Sequence, residues 1–224
     1  MARYDFFRQF GMVVIPEFLD GEECARLREL AASAEGKRGQ VIIEGQPRLD
    51  DEHRKTLVVP IKGTGHLSVE DKIEALRERL EKHFDLELGD TDPVQCLMYQ
   101  PGDFFVLHAD TAPMESGEYS YIGKRRVSVV VFLNDPNHPT EPYEGGELTF
   151  YGMMDVPGSR GYGFPIDAET GLLVAFPSAT LHEVSAVTRG NRYTLVTWFW
   201  QKEHAQGAAD PVAAGGSSEG RGSE

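Results

Sequence analysis

Apolar residues along this chain recur in two rhythms, and the change between them falls near residue 92. Before it the spacing is helical. Leu27, Leu30, Ala31 and Ala34 share one helix face, and Asp20 with Glu23 three positions on forms the capping-box pattern that opens it. A second helix is predicted to open at Ser68, with Asp71 in the matching place and Ile73, Leu76, Leu80 and Phe84 as its stripe. Ahead of both, Met12-Val-Val-Ile-Pro16 reads as a short buried strand. Between the helices, residues 36–66 mix Gly, Pro and charge. They predict a mobile surface loop with one or two short strands, long enough to serve as a lid in which Arg48, Arg54 and Lys55 meet a substrate carboxylate.

After residue 92 the apolar positions come in short β-rich runs over 94–99, 104–108, 127–133, 147–151, 172–176 and 192–200. Gly and Pro divide them and no helical pattern intervenes, which predicts a sandwich or barrel and argues against a parallel α/β sheet. Residues 134–146 and 152–171 are Gly- and Pro-rich insertions. From Ala205 onward 13 of 20 residues are Gly, Ala or Ser, so a single domain over 1–204 is expected to end in a disordered tail over 205–224.

Charge narrows the partners. Lys and Arg number 22 against 36 Asp and Glu, a formal net charge of −14. Neither nucleic acid nor an anionic membrane is expected as a partner, because no basic footprint exists to meet it. The two cysteines, Cys24 and Cys96, sit in apolar contexts and predict a reducing compartment rather than a disulfide framework. Asp5 and Arg8 interrupt the N-terminus where a signal peptide needs an apolar run, and no stretch reaches transmembrane length. The expected location is the cytoplasm.

Candidate chemistry begins at His108-Ala109-Asp110. Residues two apart on a strand face one side, so both side chains can reach one ion. Alone, such a pair is as readily a surface histidine beside a solvated aspartate. Its surroundings add weight: the strand–turn–strand Tyr99-Gln-Pro-Gly-Asp-Phe-Phe-Val-Leu-His108 delivers it, and the buried run Leu172–Phe176 leads to a further histidine, His182. Two histidines and one carboxylate on barrel strands match the facial set that holds non-haem Fe(II) with positions left open. Ten residues on, Arg192 and Thr194 share a strand face and offer a donor fork and a hydroxyl suited to a carboxylate.

At these residues the chain resembles the 2-oxoglutarate and Fe(II)-dependent dioxygenases, in particular the prolyl 4-hydroxylase-like group. The family pattern runs Tyr-x-x-Gly, His-x-Asp, a Gly-Gly-Glu-Leu strand, then a distal His followed by Lys or Arg. Here Tyr99, Gly102, His108, Asp110, Gly145-Gly-Glu-Leu148, His182 and Arg192 stand in that order over a resemblance spanning about residues 10–200. It implies an α+β, mainly β fold, a double-stranded β-helix (jelly-roll) core with N-terminal helices packed against it. It also implies His108, Asp110 and His182 as iron ligands, and Arg192 as partner of the 2-oxoglutarate distal carboxylate. Tyr99 and Thr194 would add hydroxyls to the cosubstrate site. The implied cofactors are Fe(II), 2-oxoglutarate and O2, with ascorbate as reductant. The implied substrate is a free amino acid, a peptidyl residue of prolyl type or a small metabolite, hydroxylated at an unactivated C–H bond.

One position departs from the pattern. Phe132 stands where related oxygen-sensing enzymes carry a cosubstrate-binding Tyr, so that hydroxyl is lost or supplied by Tyr99 or Thr194. A cupin-like metal protein that is not an oxygenase is the alternative on the same barrel. Cupins show His-x-His with a nearby Glu, and Asp110 and Arg192 speak against that. The other residues read blandly. His53, His66, His83, His138 and His204 are expected in loops, at a helix end or in the tail, Arg125 and Arg126 at a solvated strand start, and Trp198 and Trp200 in the core or barrel lining.

Overall fold

The computed structural model describes residues 3–43, 46–61, 64–111, 120–154 and 158–202. Helix α1 (Asp5–Gln9) leads into strand β1 (Val13–Ile15) and helix α2 (Gly21–Ser33). Five short strands follow: β2 (Lys37–Arg38), β3 (Val41–Ile43), β4 (Gln46–Arg48), β5 (Arg54–Lys55) and β6 (Leu57–Val59). Helices α3 (Thr64–Glu74) and α4 (Arg77–Phe84) separate these from the β-rich half. That half opens with β7 (Leu88–Thr91), β8 (Gln95–Tyr99), β9 (Phe104–His108) and helix α5 (Ser120–Lys124). It continues with β10 (Arg125–Phe132), β11 (Glu144–Gly145), β12 (Leu148–Tyr151) and β13 (Gly163–Pro165). It closes with β14 (Leu173–Pro177), β15 (Leu181–Val184), β16 (Val187–Arg189) and β17 (Arg192–Gln201). No helix among the described residues is long and apolar enough to cross a membrane.

Two antiparallel sheets form the body. The larger runs β1-β14-β10-β17-β8-β6-β2 with β7 also on β17, and the smaller runs β13-β12-β15-β9-β5. This is the expected jelly-roll core with helices against one side. The near-continuous apolar runs of the central strands follow from burial on both faces. On β10, Val127, Val129 and Val131 pack in the cluster that includes Leu27 of α2, Ile73 of α3 and Leu80 of α4. Val130 and Phe132, one position out of phase, pack instead with Phe150 and Val184 of the smaller sheet. β17 divides the same way, with Tyr193 and Leu195 toward the helices and Val196 and Trp198 inward. A slip of one residue would exchange the two faces, so these pairings are strongly specified. It is this phase that turns Ser128, Arg192 and Thr194 to the space between the sheets.

The capping box at α2 forms: Asp20 Oδ1 accepts from the Glu23 amide at 2.8 Å, and Glu23 Oε2 accepts from the Asp20 amide at 3.1 Å. Asp20→Ala is therefore expected to cost about 1 kcal/mol, a fall of roughly 2–4 °C in Tm for a chain this long, measured by thermal unfolding. The second helix differs from expectation. It begins at Thr64 and breaks after Glu74, where the Leu76 amide bonds Ile73 O at 3.0 Å and tightens the turn. Its apolar stripe survives the break, with Ile73 and Leu80 buried and Leu76 and Phe84 packed beside them.

Residues 36–66 differ more. The segment is built into the edges of both sheets rather than lying over them as a loop. β6 pairs with β8, placing Val58 opposite Leu97, and β5 pairs with β9, placing Arg54 opposite Phe105. Within this segment β3 and β4 pair with each other alone. Strands of two or three residues carry too little period to read. The tail from 205 lies outside the described residues.

Candidate active site

The smaller sheet brings the first three candidate residues together. His108 on β9 and His182 on β15 are register partners across adjacent strands, and Asp110 follows two residues after His108. His108 Nε2 lies 3.6 Å from Asp110 Oδ1, and His182 Nε2 lies 3.6 Å from Asp110 Oδ2. One ligand atom from each of the three falls within 4.8 Å of the others. Each ring is oriented from behind by a carbonyl of its own strand region: His108 Nδ1 is 2.8 Å from Val106 O, and His182 Nδ1 is 2.9 Å from Thr180 O. An Nδ1–H donated to a carbonyl leaves Nε2 as the free lone pair aimed at the shared point.

Neighbouring side chains hold the set in place. Ser128 Oγ donates to Asp110 Oδ2 at 2.7 Å and lies 3.0 Å from Ser178 Oγ. Phe105 stacks on the His108 ring at 3.5 Å between centroids, and Phe176 meets His182 edge-on at 5.0 Å. Burial alone would raise the Asp110 carboxyl, but His182, His108 and the Ser128 bond together hold it well below the usual carboxylate range. Burial also lowers the His182 pKa, against the pull of Asp110. At neutral pH the site thus offers neutral imidazole beside carboxylate, a donor set that fits Fe(II).

Arg192 stands deeper, at the start of β17 and opposite Tyr99 of β8. It is 1% exposed, a charged side chain in the core. The Tyr99 and Phe132 rings flank its guanidinium, each centroid 5.2 Å away. Nη1 donates to Thr194 Oγ1 at 3.3 Å, and Nε is buried with no partner among the described residues. No carboxylate of the described residues pairs with it. A buried guanidinium without a counter-ion is costly by itself, and an anionic ligand such as 2-oxoglutarate fits it. Arg189, the nearest rival in sequence, is 71% exposed at its side chain and pairs with Glu144.

Four residues of the site were given no role of their own by sequence reading. Tyr143 is buried beside the Arg192 guanidinium, and that burial raises its pKa. Asn134 accepts from the Tyr193 amide at 2.9 Å and donates to Asn191 O at 2.8 Å, which pins the strand start carrying Arg192. Gly146 explains part of the Gly-Gly-Glu-Leu motif. At φ +66° a Cβ there would stand 2.9 Å from Arg192 Cδ. Gly146→Ala is expected to lose about 1–2 kcal/mol from backbone strain alone and to push the guanidinium from its seat, read as a lowered Tm.

Asp92 is the fourth, and it corrects the expectation for Arg125. That side chain is 12% exposed rather than solvated. Asp92 Oδ2 accepts from Arg125 Nε at 2.8 Å, Asp92 Oδ1 accepts from Trp200 Nε1 at 3.1 Å, and the guanidinium lies 3.7 Å over Trp198. Arg126 is tied down as well, donating to Gln201 at 2.8 Å. The reason is that β10 starts at Arg125 and pairs with the end of β17, a long-range contact. Between the sheets lies a cavity of about 1100 Å³ that reaches from His108, Asp110 and His182 to Arg192, with Trp198 on its wall and Leu49 at its edge.

The remaining histidines stay out of the site. His53 pairs with Asp50, His83 bonds Gly11 O, and His138 caps the turn before Glu141. His204 and the His66 side chain lie outside the described residues.

A jelly roll with two imidazoles and a carboxylate at one mouth, and an unpaired arginine behind them, is the architecture of an iron- and 2-oxo-acid-dependent oxygenase. Comparison with known proteins agrees: the 2OG-Fe(II) oxygenase superfamily model matches residues 94–200. A PKHD-type hydroxylase of Beijerinckia indica is 30% identical over 190 residues, covering 84% of this chain and 77% of the relative. One of Gluconacetobacter diazotrophicus is 29% identical over 191 residues, with the same two coverages. The chain belongs to the 2OG-Fe(II) oxygenase superfamily, among its prolyl 4-hydroxylase-like members.

Solved structures share the fold. A Pseudomonas putida prolyl-4-hydroxylase superposes with TM-score 0.64 at 21% identity, covering 90% of this chain and 98% of its own. A Trichoplax adhaerens prolyl hydroxylase, solved with a hypoxia inducible factor peptide, gives 0.63 at 17%, covering 89% and 87%. The protein is a non-haem iron, 2-oxoglutarate-dependent hydroxylase that uses Fe(II), 2-oxoglutarate and O2. The cupin-like alternative is thereby set aside.

Proposed function

We propose that His108, Asp110 and His182 hold the iron, that Arg192 with Tyr99 and Thr194 holds the far carboxylate of 2-oxoglutarate, and that the substrate is an amino acid, a peptidyl residue of prolyl type or a small metabolite. With O2 as the oxidant, iron and 2-oxoglutarate bound here would supply the chemistry that converts a C–H bond to C–OH, one oxygen atom going to the product and the other to succinate as CO2 leaves. The chain's own share is placement and shielding. Asp110 contributes the only negative ligand. The backing carbonyls of Val106 and Thr180 keep both imidazoles turned inward.

Arg192 supplies a fixed charge in a dry wall, where a charge-assisted bond is stronger than in water. Leu97, Val130, Val196 and Trp198 line the cavity and exclude solvent from the reacting centre. Phe132 lies on the Arg192 guanidinium without a hydroxyl, and the buried Tyr143 stands near that guanidinium. The single observation that carries this reading is the convergence of three ligand atoms within 4.8 Å in the cavity that also holds Arg192.

Anaerobic titration of the metal-free protein with Fe(II) and then 2-oxoglutarate tests it. A visible metal-to-ligand charge-transfer band is expected. Its absence sinks the assignment.

A further inference from the structure

The cavity has the opposite charge from the protein that encloses it. The chain carries −14 overall, yet the described residues lining the cavity include Lys37, Arg38, Arg54, Arg125 and Arg192 against one carboxylate, Asp110. In the reading above, Asp110 faces iron and Arg192 faces the cosubstrate. Arg38 pairs with Asp51, and Arg125 with Asp92. Arg54 has no acidic partner among the described residues, and its Nε is buried without any hydrogen bond.

Its position is built rather than incidental. Arg54 lies on β5, paired in register to Phe105 of β9. Its guanidinium lies 4.8 Å from the centre of the Phe105 ring, whose other stacking contact is His108 at 3.5 Å. Nη1 donates to Gln40 O at 3.0 Å. Gly39 gives it room, since a Cβ there would stand 2.8 Å from Nε. Burial lowers the Arg54 pKa, against the pull of Tyr99 and Asp110. A fork of donors held rigidly beside a metal site, and left without an anion, is preorganised for one.

Resting on the iron assignment above, we infer that Arg54 is the substrate anchor, and that this enzyme takes a substrate bearing a carboxylate close to the carbon it hydroxylates. Arg192 receives the cosubstrate's carboxylate on the larger sheet, and Arg54 receives the substrate's on the edge of the smaller one. The two cations stand on opposite walls, so the two acids do not compete for one seat. A neutral peptide bond at the same place would leave the Arg54 charge uncompensated, and the site would select against it.

The test uses the anaerobic Fe(II) protein with 2-oxoglutarate saturating, and reads the shift of the charge-transfer band. The probes are N-acetylated apolar amino acids, each matched to its own carboxamide. A second arm uses acetyl-aspartyl amide, which separates a side-chain carboxylate from a terminal one. Acids are expected to shift the band at roughly ten- to a hundred-fold lower concentration than their amides. Arg54→Gln should erase that preference, and Arg54→Lys, which keeps the charge, should retain part of it. Amides that bind as well as acids would overturn the inference, as would a preference that survives in Arg54→Gln. So would the failure of every carboxylate at millimolar concentration. Absence of the parent band overturns the iron assignment and this inference together, whereas a band that ignores the probes overturns this one alone.

Discussion

Asp110→Ala abolishes iron-dependent consumption of 2-oxoglutarate and leaves the fold standing: this is the largest effect we expect from any single substitution. Removing a group that merely orients a metal ligand costs about 10- to 100-fold in affinity. Asp110 is itself a ligand in our assignment, and the only anionic one, so its loss costs more. The two imidazoles that remain carry no charge to offset that of the ion. The fold does not depend on this side chain. Neither hydrophobic cluster includes it, and its amide keeps its bond to Ser178 O at 2.9 Å. Ser128 also keeps Ser178 as a neighbour at 3.0 Å. Circular dichroism should therefore be native while succinate formation falls to background. Retained turnover in the variant would remove Asp110 from the ligand set, and an unfolded variant would mean that the residue is structural.

Arg192→Ala separates the cosubstrate from the metal. Iron binding should persist, because Arg192 touches none of the three ligands. Affinity for 2-oxoglutarate should fall. A charge-assisted contact is worth about 1.5–3 kcal/mol, or roughly ten- to a hundred-fold, and the carboxylate would then be left in a pocket walled by Tyr99 and Phe132. The dissociation constant read from the charge-transfer band is the measure. Arg192→Lys should recover part of the loss but not all, since a single-point donor replaces a planar fork. Arg189 cannot compensate, being exposed and engaged with Glu144. A change of less than about threefold, under ~0.7 kcal/mol, would mean that the cosubstrate carboxylate sits elsewhere.

The parts of this protein that depend on neighbours in sequence could be read from sequence. The α2 capping box spans four residues, and the apolar runs of β10 and β17 are written in consecutive positions. Placing His108 and Asp110 on one side needed only the rule that residues two apart share a strand face, whereas reading them as ligands needed the surrounding motifs as well. His182 and Arg192 followed from their place at a strand end and a strand start, and from the order of motifs.

What stayed hidden depends on residues far apart in the chain. β5 and β6 are two and three residues long, and their pairing with β9 and β8 is what makes them strands. Arg54 and Arg125 look alike in sequence, each an arginine before another basic residue. Tertiary structure gave Arg125 an aspartate 33 positions away and gave Arg54 none. Tyr143 and Gly146 matter because they pack on Arg192, some fifty positions on. The sequence by itself thus determined the order of the motifs and which of their residues share a strand face, because both follow from local spacing and residue type. Only the tertiary structure decided which charges are buried without a partner, since burial and pairing are properties of the assembled sheets and not of any one segment.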